Sequence, residues 1–384
     1  MKKFLIFLLL FSLFSIRGYA EELDLTPKAK AAILIEATSG EIIYQKNAHA
    51  KVAPASMTKM LSMILILEEI EKGTLTWDEK ITTSREASGM GGSQIWLEVG
   101  EVMTVKELFT GVAVASANDA VVALAERVAG TEAAFVARMN KRIQEMGLKN
   151  TQFKNSSGLD EKDHYTSAYD VAMIARELLK HEQVLEFTSI YEAYLRKGTD
   201  REVWLVNTNK LLKLYQGVDG LKTGWTDAAG SCLTATALKN NMRLIAVTMG
   251  EPDTSFRNEE TAKMLDYGYN HYEIQSLVTK NSKLNDIEIE MAKNKYVAIV
   301  PIEEAVILIK RGEAKRENIT YEIKLDKSKA PIKRGEIIGQ IIIKDNNKVI
   351  KEISITVKDD VEKANIFSLY FRHLKDIFSG DLVF

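Results

Sequence analysis

Three short groups of polar residues interrupt apolar runs in this 384-residue chain. Ser56 and Lys59 stand three residues apart in PASMTKM, at the mouth of the oily run MLSMILIL. Ser116 and Asn118 break an apolar helical stretch at SAND, and Lys222, Thr223 and Gly224 lie in the strand-like DGLKTGW. On a helix, residues three apart share a face, so Ser56 Oγ and Lys59 Nζ can meet through a hydrogen bond. A serine hydroxyl becomes a useful nucleophile when a base takes its proton, and a lysine can be that base only while it is neutral. Burial at an apolar helix start and a second cation nearby both push a lysine that way. The same pair also fits a plainer role, a capped helix start with a snorkelling lysine. Ser-x-x-Lys arises about once by chance in a chain of ordinary composition and this length, so the pair alone does not decide between the two.

The elements that would carry these groups follow from periodicity. Residues 31–46, AAILIEATSGEIIYQK, predict two strands around a Ser-Gly turn. The apolar helix begins near Ser56, and TVKELFTGVAVASANDAVVALAERVAG has helical periodicity broken at SAND. TEAAFVARMNKRIQEMGL and SAYDVAMIARELLKH predict further amphipathic helices. From Gly217 to Met249 the pattern turns to strands, with Asn240-Asn241 supplying a hairpin turn. Strands at both ends with helices between predict an α+β domain, one sheet covered by helices. Beyond about residue 274, alternating segments such as ITYEIKLD and IIGQIIIKDNNKVIKEISITVK predict a small all-β sandwich domain over 276–358, with a turn at KDNNK.

A tail over 359–384 ends the chain. At 100° per residue, Ile366, Phe367, Tyr370, Phe371, Leu374, Ile377 and Phe378 fall within one arc of about 140°, with Leu369 the apolar residue outside it. Such a helix suits a membrane surface and is too polar on one side to span. The alternative is a helix packed on its own β-domain.

Composition bounds the rest. The chain is 46% apolar and 27% charged, as globular proteins are, and long enough for two domains. Lys2 and Lys3 precede an apolar stretch from Phe4 to Phe14, and Gly18-Tyr19-Ala20 follows, which predicts a secretory signal peptide over 1–20. Its removal takes three basic and no acidic residue, leaving 48 basic against 53 acidic, a net of −5. No basic field calls for nucleic acid. Cys232 is the only cysteine, so an exported chain would hold no internal disulfide. The five histidines show no ligand-like spacing, and neither metal nor cofactor is expected.

Ser-x-x-Lys, then Ser-x-Asn, then Lys-Thr-Gly, in that order, is the set shared by penicillin-binding proteins and class A β-lactamases. With GEIIYQKNAHAKVAPASMTKM, GLKNTQFKNSSGLDEKDHYTSAYDVAMIA, NTNKLL and KAPIKRGEIIG, the chain resembles the serine-type D-alanyl-D-alanine carboxypeptidases, the low-molecular-weight penicillin-binding proteins, along essentially its whole length. The resemblance implies a β-lactamase/transpeptidase-like catalytic domain over 21–275, an antiparallel sheet flanked by helices. It implies that Ser56 attacks the carbonyl of the terminal D-Ala-D-Ala bond, with Lys59 as general base. Ser116 would relay a proton to the leaving D-alanine, together with Lys222. Asn118 would hold the substrate amide or orient Lys59. Lys222 and Thr223 would bind the terminal carboxylate. Gly224 would let substrate lie along the strand edge, and the backbone N–H groups of Ser56 and Trp225 would form the oxyanion hole. The partners implied are peptidoglycan stem peptides, β-lactams as covalent inhibitors, and the outer face of the cytoplasmic membrane.

Two rivals stand beside this reading. A β-lactamase needs a glutamate-positioned water; SSGLDEKDHYTSAYD supplies Asp160 and Glu161 but no asparagine at the matching spacing. A catalytically inactive cell-wall binding module would have no use for a lysine buried beside a serine. Asp170 and Thr166 suit helix capping, Met90 and Trp96 either line the pocket mouth or pack, and Thr208 stands where some relatives carry a basic residue.

Overall fold

The computed structural model describes residues 23–379, so the expected signal peptide and the last five residues lie outside the described residues. The chain opens with strands β1 (Ala31–Glu36) and β2 (Ile42–Lys46). A 3₁₀ turn, Ala55–Thr58, leads into helix α1 (Lys59–Glu71), whose residues from Lys59 to Leu67 are all buried. A helix apolar on every side belongs in the middle of a domain. A capping box between Thr104 and Glu107 starts the helix Val105–Thr110, which widens into a π turn over Gly111–Ala115. Helices α2 (Asn118–Ala129), α3 (Glu132–Glu145) and α4 (Ala168–Leu178) follow; Thr131 and Ser167 cap the last two through their side chains. The hairpin β3 (Glu192–Leu195) and β4 (Val203–Val206) precedes the long strands β5 (Val218–Thr226), β6 (Gly230–Lys239) and β7 (Met242–Glu251). Helix α5 (Thr254–His271) closes this part, capped by Asp253.

The sheet runs β2-β1-β7-β6-β5, antiparallel throughout, with β5 at its edge. Alternate residues of β1 face opposite cores: Ile33 and Ile35 pack with α1, α2 and α4, while Leu34 packs with Met264 and Leu265 of α5. That two-sided burial is why β1 reads as an unbroken apolar run. Asn240 and Asn241 both take positive φ, 51° and 62°, in the expected turn between β6 and β7.

Nothing in the sequence pattern announces α5. Its sheet-facing residues include Arg257, Glu260 and Thr261, so its inward face carries no clean apolar period.

The second part is all β. Strand β8 (Tyr272–Val278) pairs with β11 (Ala305–Lys310), and a five-stranded antiparallel sheet joins β9 (Asn285–Glu288), β10 (Tyr296–Pro301), β14 (Lys348–Val357), β13 (Gly339–Asp345) and β12 (Ile319–Leu325) in that spatial order. Val278 and Ala305 of the ribbon share one core with Ile299, Ile341, Ile343, Ile353 and Ile355 of the sheet. Helix α6 (Ile366–Ser379) follows. Among the described residues, no helix is long and apolar enough to cross a membrane.

Candidate active site

Ser56 sits half-buried in the 3₁₀ turn and Lys59 is the first residue of α1. A 3₁₀ turn eclipses side chains three apart, which brings the pair together more closely than an α-helix would. Lys59 Nζ lies 3.1 Å from Ser56 Oγ and donates to Asn118 Oδ1 at 2.5 Å and to the Ser157 carbonyl at 2.6 Å. Its side chain is wholly buried. Burial, and then the charge of Lys222, hold Lys59 well below the ordinary lysine range, against a smaller opposing pull from Asp119. Both effects favour the neutral amine, the form that can accept a proton from Ser56 Oγ.

The break at SAND has a structural cause. The π turn ends at Ser116, which takes the left-handed conformation with φ 63°, and α2 restarts at Asn118. Ser116 is 4% exposed, and its Oγ finds no hydrogen-bond partner among the described residues. Asn118 Nδ2 donates to the Gly91 carbonyl at 2.7 Å and its backbone N–H to Ser93 at 2.7 Å. Asp119 accepts from the backbone N–H of Ile95 and of Leu97. Together they fix the glycine-rich loop over the site.

Lys222, Thr223 and Gly224 lie on edge strand β5. Lys222 Nζ donates to the Thr223 carbonyl at 2.9 Å. Burial, and then the Arg257 guanidinium, bring Lys222 down to about 7. Thr223 Oγ1 meets Thr208 Oγ1 at 2.5 Å. A Cβ on Gly224 would lie 3.0 Å from Ala55 Cβ and 3.1 Å from the Ser56 nitrogen, so the strand passes directly against the turn that carries Ser56. Gly158, with φ +87°, backs the same turn: a Cβ there would lie 1.9 Å from the Ala55 carbonyl oxygen. Trp225 is 65% exposed, and Thr226 Oγ1 next to it donates to Asp160 at 2.7 Å.

The structure thus joins Ser56, Lys59 and Asn118 in direct contact, brings Lys222 within electrostatic reach of Lys59, and places Thr223, Gly224 and Trp225 along the adjoining strand. The link it leaves open is Ser116 to Lys222. Several contributors were not foreseen. The Ser157 carbonyl and Asp119 act through backbone contacts, which residue spacing does not reveal. Arg257, 4% exposed, sits on the unannounced helix α5. His164 is a supporting group. Its Nδ1 accepts from the Lys154 N–H, which leaves the proton on Nε2 to donate to Thr58 Oγ1 at 2.9 Å. Burial lowers it to about 4, so it stays neutral. Asp170 lies in the first turn of α4, with Ser167 as the cap, and accepts from Asn150 and Thr151. Met90 packs against the core while Trp96 is exposed. Cys232 is a buried free thiol, pushed up to about 11 by burial. Among the described residues no cluster of His, Cys, Asp or Glu could hold a metal ion.

A serine in contact with a buried lysine, beneath an edge strand bearing Lys-Thr-Gly, defines an acyl-transferring serine hydrolase of the penicillin-interacting class. The D-alanyl-D-alanine carboxypeptidase family profile matches residues 19–253, and that of the penicillin-binding protein 5 C-terminal domain matches residues 272–363. The chain belongs to the serine-type D-alanyl-D-alanine carboxypeptidase family. It is 46% identical over 354 residues to D-alanyl-D-alanine carboxypeptidase DacF of Bacillus subtilis, covering 92% of this chain and 91% of that one. Penicillin-binding protein 5 from Haemophilus influenzae superposes with a TM-score of 0.68 at 30% identity, covering 88% of this chain and 98% of that structure. Penicillin-binding protein D2 from Listeria monocytogenes in its ampicillin-bound form gives a TM-score of 0.58 at 31% identity, covering 64% of this chain and all of that one.

Proposed function

We propose that the enzyme removes the terminal D-alanine of peptidoglycan stem pentapeptides through an acyl-enzyme on Ser56. Lys59 takes the proton from Ser56 Oγ as the oxygen bonds to the scissile carbonyl carbon. The oxyanion is held by the backbone N–H groups of Ser56 and Trp225. The C–N bond then breaks, and Ser116, together with Lys222, returns a proton to the departing D-alanine nitrogen. Water attacks the ester carbonyl, and Ser56 regains its proton. Asn118 orients Lys59, and Lys222 and Thr223 receive the substrate carboxylate. Arg257, whose charge reaches Lys222, adds to the positive field there. The edge position of β5 suits a substrate lying alongside as an added strand. The observation that carries this reading is Lys59, fully buried, deprived of part of its basicity, and in contact with Ser56.

β-Lactams would acylate the same serine. We assign the catalytic unit to residues 21–275, the β-domain to 276–358 and a membrane-associating tail to 359–384. The tail reading is supported by the exposure of Ile366, Phe367, Tyr370, Phe371 and Ile377, each more than half open. It is Arg372, on the polar side, that reaches the β-domain, donating to the carbonyls of Ala292 and Lys293. At roughly 1.5–3 kcal/mol per large apolar side chain, partial insertion would hold the enzyme on a bilayer. The enzyme would then work from the outer face of the cytoplasmic membrane.

The test is intact-mass analysis after penicillin treatment, alongside D-alanine release from a D-Ala-D-Ala peptide. One long-lived adduct on the Ser56 peptide, absent in Ser56→Ala, is expected. Rapid repeated turnover of a chromogenic cephalosporin, or an adduct surviving in Ser56→Ala, would overturn the assignment.

A further inference from the structure

The hairpin β3–β4 sets two large aromatic residues directly opposite each other, Tyr194 and Trp204. Opposed residues share one face of a ribbon, with Cβ atoms about 5 Å apart. The other face carries Leu195 and Leu205, 4% and 3% exposed, and rests on the domain core. Tyr194 and Trp204 face outward and stay 50% and 57% exposed. The pair therefore presents two adjacent aromatic rings to solvent on one face of the ribbon.

The ribbon is pinned at both ends, and both ends belong to the cleft. At its tip, Arg196 donates to the Ile95 carbonyl at 2.9 Å and Arg201 to the Trp96 carbonyl at 2.7 Å, on the loop that covers Asn118. Trp96 there has φ +55°, a left-handed conformation that bulky residues seldom adopt. At its base, Asn207 N–H bonds the Tyr191 carbonyl at 2.7 Å, and Thr208 meets Thr223 on β5. Between them, β4 lies against the π turn that presents Ser116. The aromatic face therefore belongs to a ribbon fastened at both ends to elements that border the peptide site, and it points outward beside that site.

Two half-open aromatic side chains offer on the order of 200 Å². A stable protein partner needs roughly 800 Å² from each side, so the platform suits a small, flat ligand. Rings with an apolar body and a polar tip fit a pyranose, which has a C–H face and a hydroxyl and amide edge. The stem peptide proposed for the cleft is covalently borne by such sugars. We infer that Tyr194 and Trp204 form a glycan-stacking subsite for β-1,4-linked N-acetylhexosamine units of the strand that carries the stem peptide. The inference rests on the cleft reading given above.

The full-length enzyme can be assayed on free pentapeptide and on soluble, uncrosslinked glycan chains bearing that pentapeptide, with chitotetraose binding read by isothermal titration calorimetry, which does not depend on Trp204 as a reporter. The wild type should show a KM about tenfold lower on the glycan-borne substrate. Trp204→Ala and Tyr194→Ala should each lose most of that advantage and most chitotetraose binding. Both should keep kcat and KM on free peptide and normal penicillin labelling, and Trp204→Phe should recover much of the preference. Equal KM values on the two substrates, or a preference unchanged in both alanine variants, would overturn the subsite. If free peptide were not hydrolysed by the wild type, the cleft reading would fail, whereas chitotetraose binding lost in Trp204→Ala would still support the platform.

Discussion

The two halves of this chain are built around apolar cores of similar quality and treat polar groups in opposite ways. Up to Glu260 and Thr261, the interior holds Lys59, Lys222, Arg257, Glu251, Asp119 and Asn118, among others. Beyond Tyr272, Thr356 is the one buried polar side chain among the described residues. Buried hydroxyls with no hydrogen-bond partner among the described residues, Ser116 Oγ and Ser231 Oγ, likewise lie in the first half. Burying a charge without full pairing costs stability, so a fold keeps such groups where they serve something else. The β-domain has isoleucines and valines at the matching depth, and nothing there asks for chemistry.

The sharpest way to break that contrast is to disarm the buried lysine. Lys59→Arg keeps a cation that cannot readily act as a base, so penicillin acylation, followed by stopped-flow or gel labelling, should fall by several decades. Near-normal acylation would remove Lys59 from the base role. Lys222→Ala should weaken recognition of the substrate carboxylate by on the order of 2–5 kcal/mol, the scale for truncating one partner of a charge pair. The loss should appear chiefly in KM for peptides with a free C-terminus, and much less with a C-terminal amide.

The pH profile probes the same two lysines together. Lys59 must be neutral to act, so kcat/KM should fall on the acid side as Lys59 gains its proton. Lys222 must be charged to hold an anion and stands at about 7, so kcat/KM should also fall as pH rises past that value. Because the charge of Lys222 helps hold Lys59 down, the acid limb should shift to higher pH in Lys222→Ala, and the alkaline limb should disappear with the group that titrates there. A profile flat from pH 6 to 9 would contradict this.

The smallest effects on acylation should come from the β half. Ile355→Ala, in a fully buried site, should cost that domain about 2–5 kcal/mol in thermal or denaturant unfolding while leaving the labelling rate within twofold. Ending the chain after Lys358 should likewise leave acylation intact and move the protein from the membrane pellet to the soluble fraction. A truncated enzyme that still pellets, or that unfolds, would mean that the tail packs on its own domain instead.

How much of this was legible in advance varies by element. The nucleophile pair, SAN and Lys-Thr-Gly could be read because their chemistry rests on side-chain identity and order. Strand β1 and helix α1 could be read because burial writes itself into long apolar runs. The Asn-Asn turns were visible through residues that accept positive φ, at 240–241 and again at 346–347. Helix α5 was hidden by its own role, since Arg257 and Glu260 face inward where a pattern search expects leucine. The cradle of Lys59 was hidden for another reason, because half of it is the Ser157 carbonyl, and every residue type has one.

Gly158 and Gly224 bear on antibiotic selection. A common way for a target to escape a drug is to add bulk to its pocket. At Gly158 that path is closed, because the first added carbon would lie 1.9 Å from the Ala55 carbonyl oxygen, and the backbone there turns with φ +87°. At Gly224 it is nearly closed, with the Ser56 nitrogen 3.1 Å away. At Gly158 any side chain must displace the turn that carries Ser56, whereas at Gly224 that turn would have to give by a few tenths of an ångström. Resistance by narrowing at Gly158 would therefore disable the enzyme along with the drug. Saturation mutagenesis at Gly158, selected for D-Ala-D-Ala hydrolysis, should return glycine alone; an active, penicillin-resistant substitution there would refute this.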